Sequence, residues 1–112
     1  MKHVLFKVVE GKYNDWKSWC NLLSERQSEA EETMREENCV YERSVVYERN
    51  GDYYVVGTAA FNGSPQKANL DVELNLQHQK AKQDSLGKAI AVFEGEFILP
   101  PNHEVLYEFD LR

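Results

Sequence analysis

At 112 residues, with 42% hydrophobic and 29% charged side chains, the chain is long enough to bury one core without disulfide or metal support, and too apolar for disorder. Its formal charge of −6 excludes nucleic acid and anionic membranes as expected partners, because both demand a positive patch and no basic cluster exists. A single domain over residues 1–112 is expected.

Val4, Phe6 and Val8 alternate, so a first strand is expected over about Lys2–Val9. The apolar run there is too short and too charged for a secretory leader, and no stretch approaches a membrane span. A cytoplasmic location is therefore expected. The rhythm then becomes helical, with Trp16, Trp19, Cys20, Leu23, Ala30 and Met34 on one stripe. Asn14 or Asp15 is the expected cap and Asn38 the stop. Trp16 and Trp19 read as core anchors rather than a ligand cage. Glu25, Glu29, Glu32 and Glu36 read as a solvated helix face rather than a cation site. Cys20 and Cys39 lack a CxxC spacing and a histidine at ligand distance, so they read as buried thiols in a reducing compartment.

Two β-rich runs flank Asn50-Gly51, the dipeptide suited to a two-residue turn with positive φ at both positions. That turn sets a register: Arg49 faces Asp52, Tyr47 faces Tyr54, Val45 faces Val56, Arg43 faces Thr58 and Tyr41 faces Ala60. On the other face Val46 meets Val55, Ser44 meets Gly57 and Val40 meets Phe61. A loop follows. Residues from about Asp71 to Phe97 are expected to be helical, with a break near Gly87, because Leu86, Ala89, Ile90, Phe93 and Phe97 recur at helical spacing. Pro100-Pro101 ends the helix, and "EVLYEFDLR" supplies a last strand.

The expected order is β-α-β-β-α-β: an α+β, ferredoxin-like domain whose four-stranded antiparallel sheet carries both helices on one face. Strand one is expected in the centre, parallel to strand three and antiparallel to strand four. Val4, Phe6, Val8, Val105, Tyr107 and Phe109 then face the helices, and Glu42, which fits that face poorly, is expected at an edge. The opposite face would carry His3, Leu5, Tyr41, Arg43, Val45, Tyr47, Tyr54, Val56, Leu106, Glu108 and Asp110. Such a half-apolar, half-polar surface suggests contact with a second copy of the chain, leaving a small-molecule pocket between the sheets.

The β-α-β-β-α-β order, the half-polar exposed sheet face and the size resemble the dimeric α+β barrel group of ferredoxin-like domains. The "VLFKV…GK…W" start, the charged first helix and the terminal "EVLYEFDL" carry the closer likeness. Within it they look most like a small uncharacterised bacterial family. The resemblance implies a homodimer, and its better-known relatives include cofactor-free monooxygenases, isomerases, sugar mutarotases and haem-handling enzymes. It carries over no catalytic residue, since fold alone does not transfer chemistry.

His3 is the candidate catalytic base, expected beside Glu108 or Asp110 at the end of the last strand, although a cross-strand ion pair explains the same placement. Tyr41, Arg43, Tyr47, Tyr54 and Glu108 are the candidate ligand-binding set, with hydroxyls and a guanidinium as donors; tyrosine and arginine are equally the residues that dimer interfaces favour. His78 is expected at a cavity mouth or in solvent, and His103 on an exposed loop. The three histidines share no ligand spacing, so no metal is expected, and no GxGxxG or P-loop calls for a nucleotide cofactor. Three readings stand: a homodimer binding a small organic molecule, a cofactor-free monooxygenase or isomerase, and an interaction module with no pocket.

Overall fold

The computed structural model describes residues 1–112. Eight elements follow in order: β1 (Lys2–Lys7), α1 (Tyr13–Glu25), α2 (Gln27–Glu36), β2 (Cys39–Arg49), β3 (Asp52–Phe61), α3 (Glu73–Ser85), β4 (Ala89–Glu94) and β5 (Glu104–Asp110). The strands form one antiparallel sheet in the order β4-β1-β3-β2-β5. The fold is α+β, with five strands where a four-stranded ferredoxin-like order was expected.

The added strand comes from the segment read as the end of the second helix. After α3, Leu86 and Gly87 donate backbone N–H groups to the Lys82 carbonyl, and Gly87 turns the chain at φ +62°. Ala89–Glu94 then leaves as a strand. A six-residue run of small, β-branched and aromatic residues fits either period, and the glycine turn decides it. This strand takes the place beside β1, so the last strand moves to the far edge and pairs with β2. β1 and β3 run antiparallel, correcting the parallel pairing expected for them.

Helix one is divided. Arg26 adopts φ −103°, ψ 38° and separates α1 from α2, and Asn38, at φ 59°, stops α2 as expected. Lys12 occupies the cap of α1 without a side-chain bond, so neither Asn14 nor Asp15 caps it. The helices cover one sheet face. Trp16, Trp19, Cys20, Leu23, Ala30 and Met34 pack there with Phe6, Val46, Val55, Tyr107 and Phe109.

The hairpin register is the one the Asn50-Gly51 turn dictates, through every expected pair from Arg49–Asp52 to Tyr41–Ala60. Beyond Tyr41 an irregularity brings Cys39, not Val40, opposite Phe61. Gly51 sits at φ +84°, and a Cβ there meets nothing within 4 Å. Its requirement is therefore purely conformational. Gly51→Ala is expected to lower unfolding free energy by about 1–2 kcal/mol in urea titrations, the cost of a left-handed L-residue.

A second bulge decides the last strand. Ser44 pairs with Tyr107 but Val45 pairs with Val105, which leaves Leu106 as the extra residue. Leu106 accordingly joins the helix-side core and Val105 is 46% exposed, the reverse of the strict alternation expected for both.

β4 and β5 lie at opposite edges, so the nine residues between Glu94 and Glu104 must cross a face of the sheet. The Phe97 ring lies 5.8 Å from that of His3, on the face away from the helices, and Asn102 donates to the Glu48 carbonyl near the hairpin. This strap gives the face expected to be open a cover from its own chain. Val45 and Val56, in the middle of it, are completely buried.

Candidate functional site

The residues expected to form a site divide into three groups on the strapped face. One rung runs across all five strands as Phe93, His3, Thr58, Arg43 and Glu108. His3 therefore has two strands between it and Glu108. Its Nε2 lies 2.8 Å from the Gly95 carbonyl, which can only accept, so that nitrogen carries the proton. Nδ1, 2.8 Å from Thr58 Oγ1, is then the acceptor of the threonine hydroxyl. Both nitrogens are engaged, Phe93 stacks on the ring at 5.2 Å, and no lone pair is left for a substrate.

Tyr41, Arg43 and Glu108 form the second group. Tyr41 donates its hydroxyl to Glu108 Oε2, and Arg112 lies 4.5 Å over the Tyr41 ring. Arg43 donates to Thr58 Oγ1 at 3.5 Å, while its Nε is buried without a partner. Tyr47 and Tyr54 form the third, stacked 5.5 Å apart at the hairpin end. None of these five residues lines the main cavities.

The cavities lie on the other side of the sheet. An outer, half-open chamber of about 540 Å³ is bounded by α2, α3 and the loop before α3, with Ala30, Glu37, Leu70 and Leu74 on its walls. An inner chamber of about 220 Å³ continues between α1, α3 and the sheet, past Trp16, Ser44, Leu86 and Tyr107. Phe6, Glu42, His78 and Lys82 line both.

Glu42 is the central group. β2 lies between β3 and β5, so Glu42 is on an interior strand with its side chain toward the helices, not at the edge expected for it. Glu42 is half-buried and lines both chambers, its carboxyl crowded by protein atoms. Burial, reinforced by the charge of Glu37, raises its pKa to about 7 against the pull of Lys82 and of the Tyr107 hydroxyl. Tyr107 is itself pushed well above the usual tyrosine range by burial and by Glu42, so it remains the proton donor of the pair.

His78 faces Glu42's chambers from α3. Trp19 Nε1 donates to His78 Nδ1 at 2.8 Å, which fixes the tautomer with the proton on Nε2. Burial and the nearby Lys82 ammonium lower its pKa to about 4, so the ring is neutral at pH 7. Its Nε2–H is a donor without a protein partner. The site thus offers one poised proton acceptor, one fixed neutral donor and one cation around a hydrophobic floor.

Cys20 and Cys39 are buried and unpaired, as expected of them. Burial first, and the charge of Glu42, push their thiols up to about 12 and about 11, so neither is a nucleophile at neutral pH. His103 is exposed and bonds the Pro100 carbonyl through Nδ1 at 2.7 Å. No group of three or more His, Cys, Asp and Glu side chains converges to hold a metal ion. No helix is long and apolar enough to cross a membrane.

Sheet, helices and cavity together define an α+β protein with a half-open chamber between helices and sheet, lined by the Glu42 carboxyl. The chain belongs to DUF6176, a family of unknown function, whose sequence profile matches residues 1–105. Comparison with curated proteins and with solved structures gives no match.

Proposed function

We propose that the protein binds a small organic molecule in the chamber between helices and sheet and transfers a proton at it through Glu42. The observation that carries this reading is the placement of Glu42: a carboxyl inside a two-part cavity, with no ion pair of its own and with His78 Nε2–H across the same space. A buried carboxyl titrating near neutrality is matched to general acid–base work. His78, held neutral, donates to an oxygen of the ligand, and Glu42 takes a proton from an adjacent carbon or hydroxyl and returns it. The ligand class is therefore a compound with an oxygen acceptor next to a removable proton, such as a single-ring phenol or a 1,3-dicarbonyl. The order β4-β1-β3-β2 among the first four strands fits the likeness to dimeric α+β barrel proteins, among which cofactor-free monooxygenases and isomerases occur.

The test is ligand-detected NMR against a panel of single-ring phenols and 1,3-dicarbonyls. Wild type is expected to bind members of the panel. Glu42→Gln weakens them by about tenfold or more, as expected for losing a hydrogen bond to a charged group. Leu70→Trp, at a half-exposed position on the outer wall, blocks entry while sparing the core. Binding unchanged by both substitutions contradicts the reading.

A second reading is favoured by the unpartnered Nε of Arg43. A guanidinium whose buried Nε has no partner, and which makes no ion pair with the Glu108 opposite it, suits an anionic ligand under the strap. In the same panel, binding lost in Arg43→Met and kept in Glu42→Gln selects that face.

A further inference from the structure

We infer that the inner chamber is a subsite for a second, neutral oxygen of the ligand, held by the Trp16 indole N–H and the Ser44 hydroxyl. The inference rests on the proposed entry of a small molecule beside Glu42 and adds to the chemistry of that molecule. Trp16 and Ser44 both line this chamber and are only 2% and 1% exposed. In each, the one polar side-chain atom is buried without a hydrogen-bond partner. Ser44 Oγ lies near the Cys20 thiol but makes no hydrogen bond to it. Buried polar groups are normally satisfied, so two orphans in the wall of one chamber call for a partner from outside the chain. Trp16 is the more telling of the two. Trp19, three residues on, gives the same indole N–H to His78 at 2.8 Å.

The sheet leaves room beside these groups. On the helix side one rung reads Val4, Gly57, Ser44 and Tyr107. A Cβ built at Gly57 would come no nearer than 4.0 Å to its closest neighbour, the Val4 carbonyl oxygen. The glycine therefore leaves bare floor next to Ser44, and a strand glycine of this kind marks a close approach to the backbone. Glu42 and Ser44 are two residues apart on β2 and line the same chamber, which sets them about 7 Å apart along the strand. A single ring with an oxygen at each end bridges that separation. One oxygen meets Glu42 and His78, and the other meets Trp16 and Ser44. Both of these donors are uncharged and the Glu42 carboxyl shares the chamber, so the second oxygen belongs to an ether, carbonyl or hydroxyl rather than a carboxylate. The ligand class narrows to para-oxygenated phenols.

Para-methoxyphenol and para-ethylphenol, alike in shape and different in one oxygen, are the probes. In NMR titrations of the nitrogen-labelled full chain, para-methoxyphenol is expected to bind about fivefold tighter or more, the effect of one neutral hydrogen bond. It also moves the Trp16 indole N–H resonance downfield, a resonance assigned by its loss in Trp16→Phe. Para-ethylphenol binds without that shift. Trp16→Phe and Ser44→Ala each shrink the preference toward unity by weakening para-methoxyphenol and sparing para-ethylphenol. Equal affinities in the wild type, with Trp16 unmoved, overturn the subsite; if Glu42→Gln still weakens both probes, the proton-transfer reading stands without it. A preference that depends on Trp16, with both probes indifferent to Glu42→Gln, keeps the subsite and removes Glu42 from the chemistry. Failure of both probes to bind overturns the two together.

Discussion

Glu42→Gln is expected to gain stability over the wild type as pH rises, by about 3 kcal/mol between pH 4.5 and 8, since the carboxyl titrates at about 7 folded and 4.5 unfolded. The folded pKa is raised, so between those values the folded protein holds more protons than the unfolded chain. Stability then falls with increasing pH across that window and is lowest once Glu42 is ionised in both states. Glutamine keeps the shape and removes the titration. The advantage should read as roughly 10 °C in melting temperature at pH 8 for a domain of this size. Parallel pH profiles of wild type and variant would show that Glu42 is an ordinary surface carboxylate. An apolar side chain on β2 would pack the same space at lower cost, which is why the proposed proton transfer is placed on Glu42.

His78→Gln carries the opposite sign. The imidazole titrates at about 4 folded and 6.5 unfolded, so the unfolded chain takes up a proton first and wild-type stability drops as pH falls through that window. Glutamine keeps an acceptor for Trp19 Nε1–H and abolishes the drop. Relative to wild type, the variant is expected to gain about 3 kcal/mol between pH 7 and 4. The two effects oppose each other between pH 4.5 and 6.5 in the wild type, whose melting temperature should be nearly flat there. Each single variant unmasks the slope of the other group. Equal slopes in all three proteins would contradict the placement of both side chains in one chamber.

How much of this was legible depended on the range of the signal. Asn50-Gly51 fixes a register through local backbone geometry, and seven cross-strand pairs follow from it alone. The stripe of Trp16, Trp19, Cys20 and Leu23 likewise reports its own burial. Ala89–Glu94 was not legible, because a short apolar run satisfies two periods and its partner β1 lies far away in the chain. The faces of Val105 and Leu106 depend on one bulge, invisible to alternation.

The site was written in the sequence but misassigned. Glu42 interrupts an otherwise apolar helix-facing set, and an acidic residue on a buried face is the mark of a functional position. Once β5 lies outside β2, no edge remains to excuse it. His78 was expected in solvent or at the mouth of a cavity between two sheets; it lines the helix-side chambers instead, and its partner Trp19 sits 59 residues away in sequence, so only packing brings them together. The tyrosine and arginine cluster was conspicuous by composition, yet the strap from β4 to β5 crosses that face, and the chambers lie on the other.

The titration of the Glu42 side-chain carboxyl, followed by carbon NMR with labelled glutamate and assigned by its loss in Glu42→Gln, is the most direct measurement. The geometry predicts a midpoint about 7, displaced when Lys82 is replaced by Met, because the nearby ammonium holds the carboxyl down. Lys82→Met should move it upward. A midpoint in the ordinary carboxylate range, indifferent to Lys82, would mean that water surrounds Glu42 and that the chamber is not a proton-transfer site.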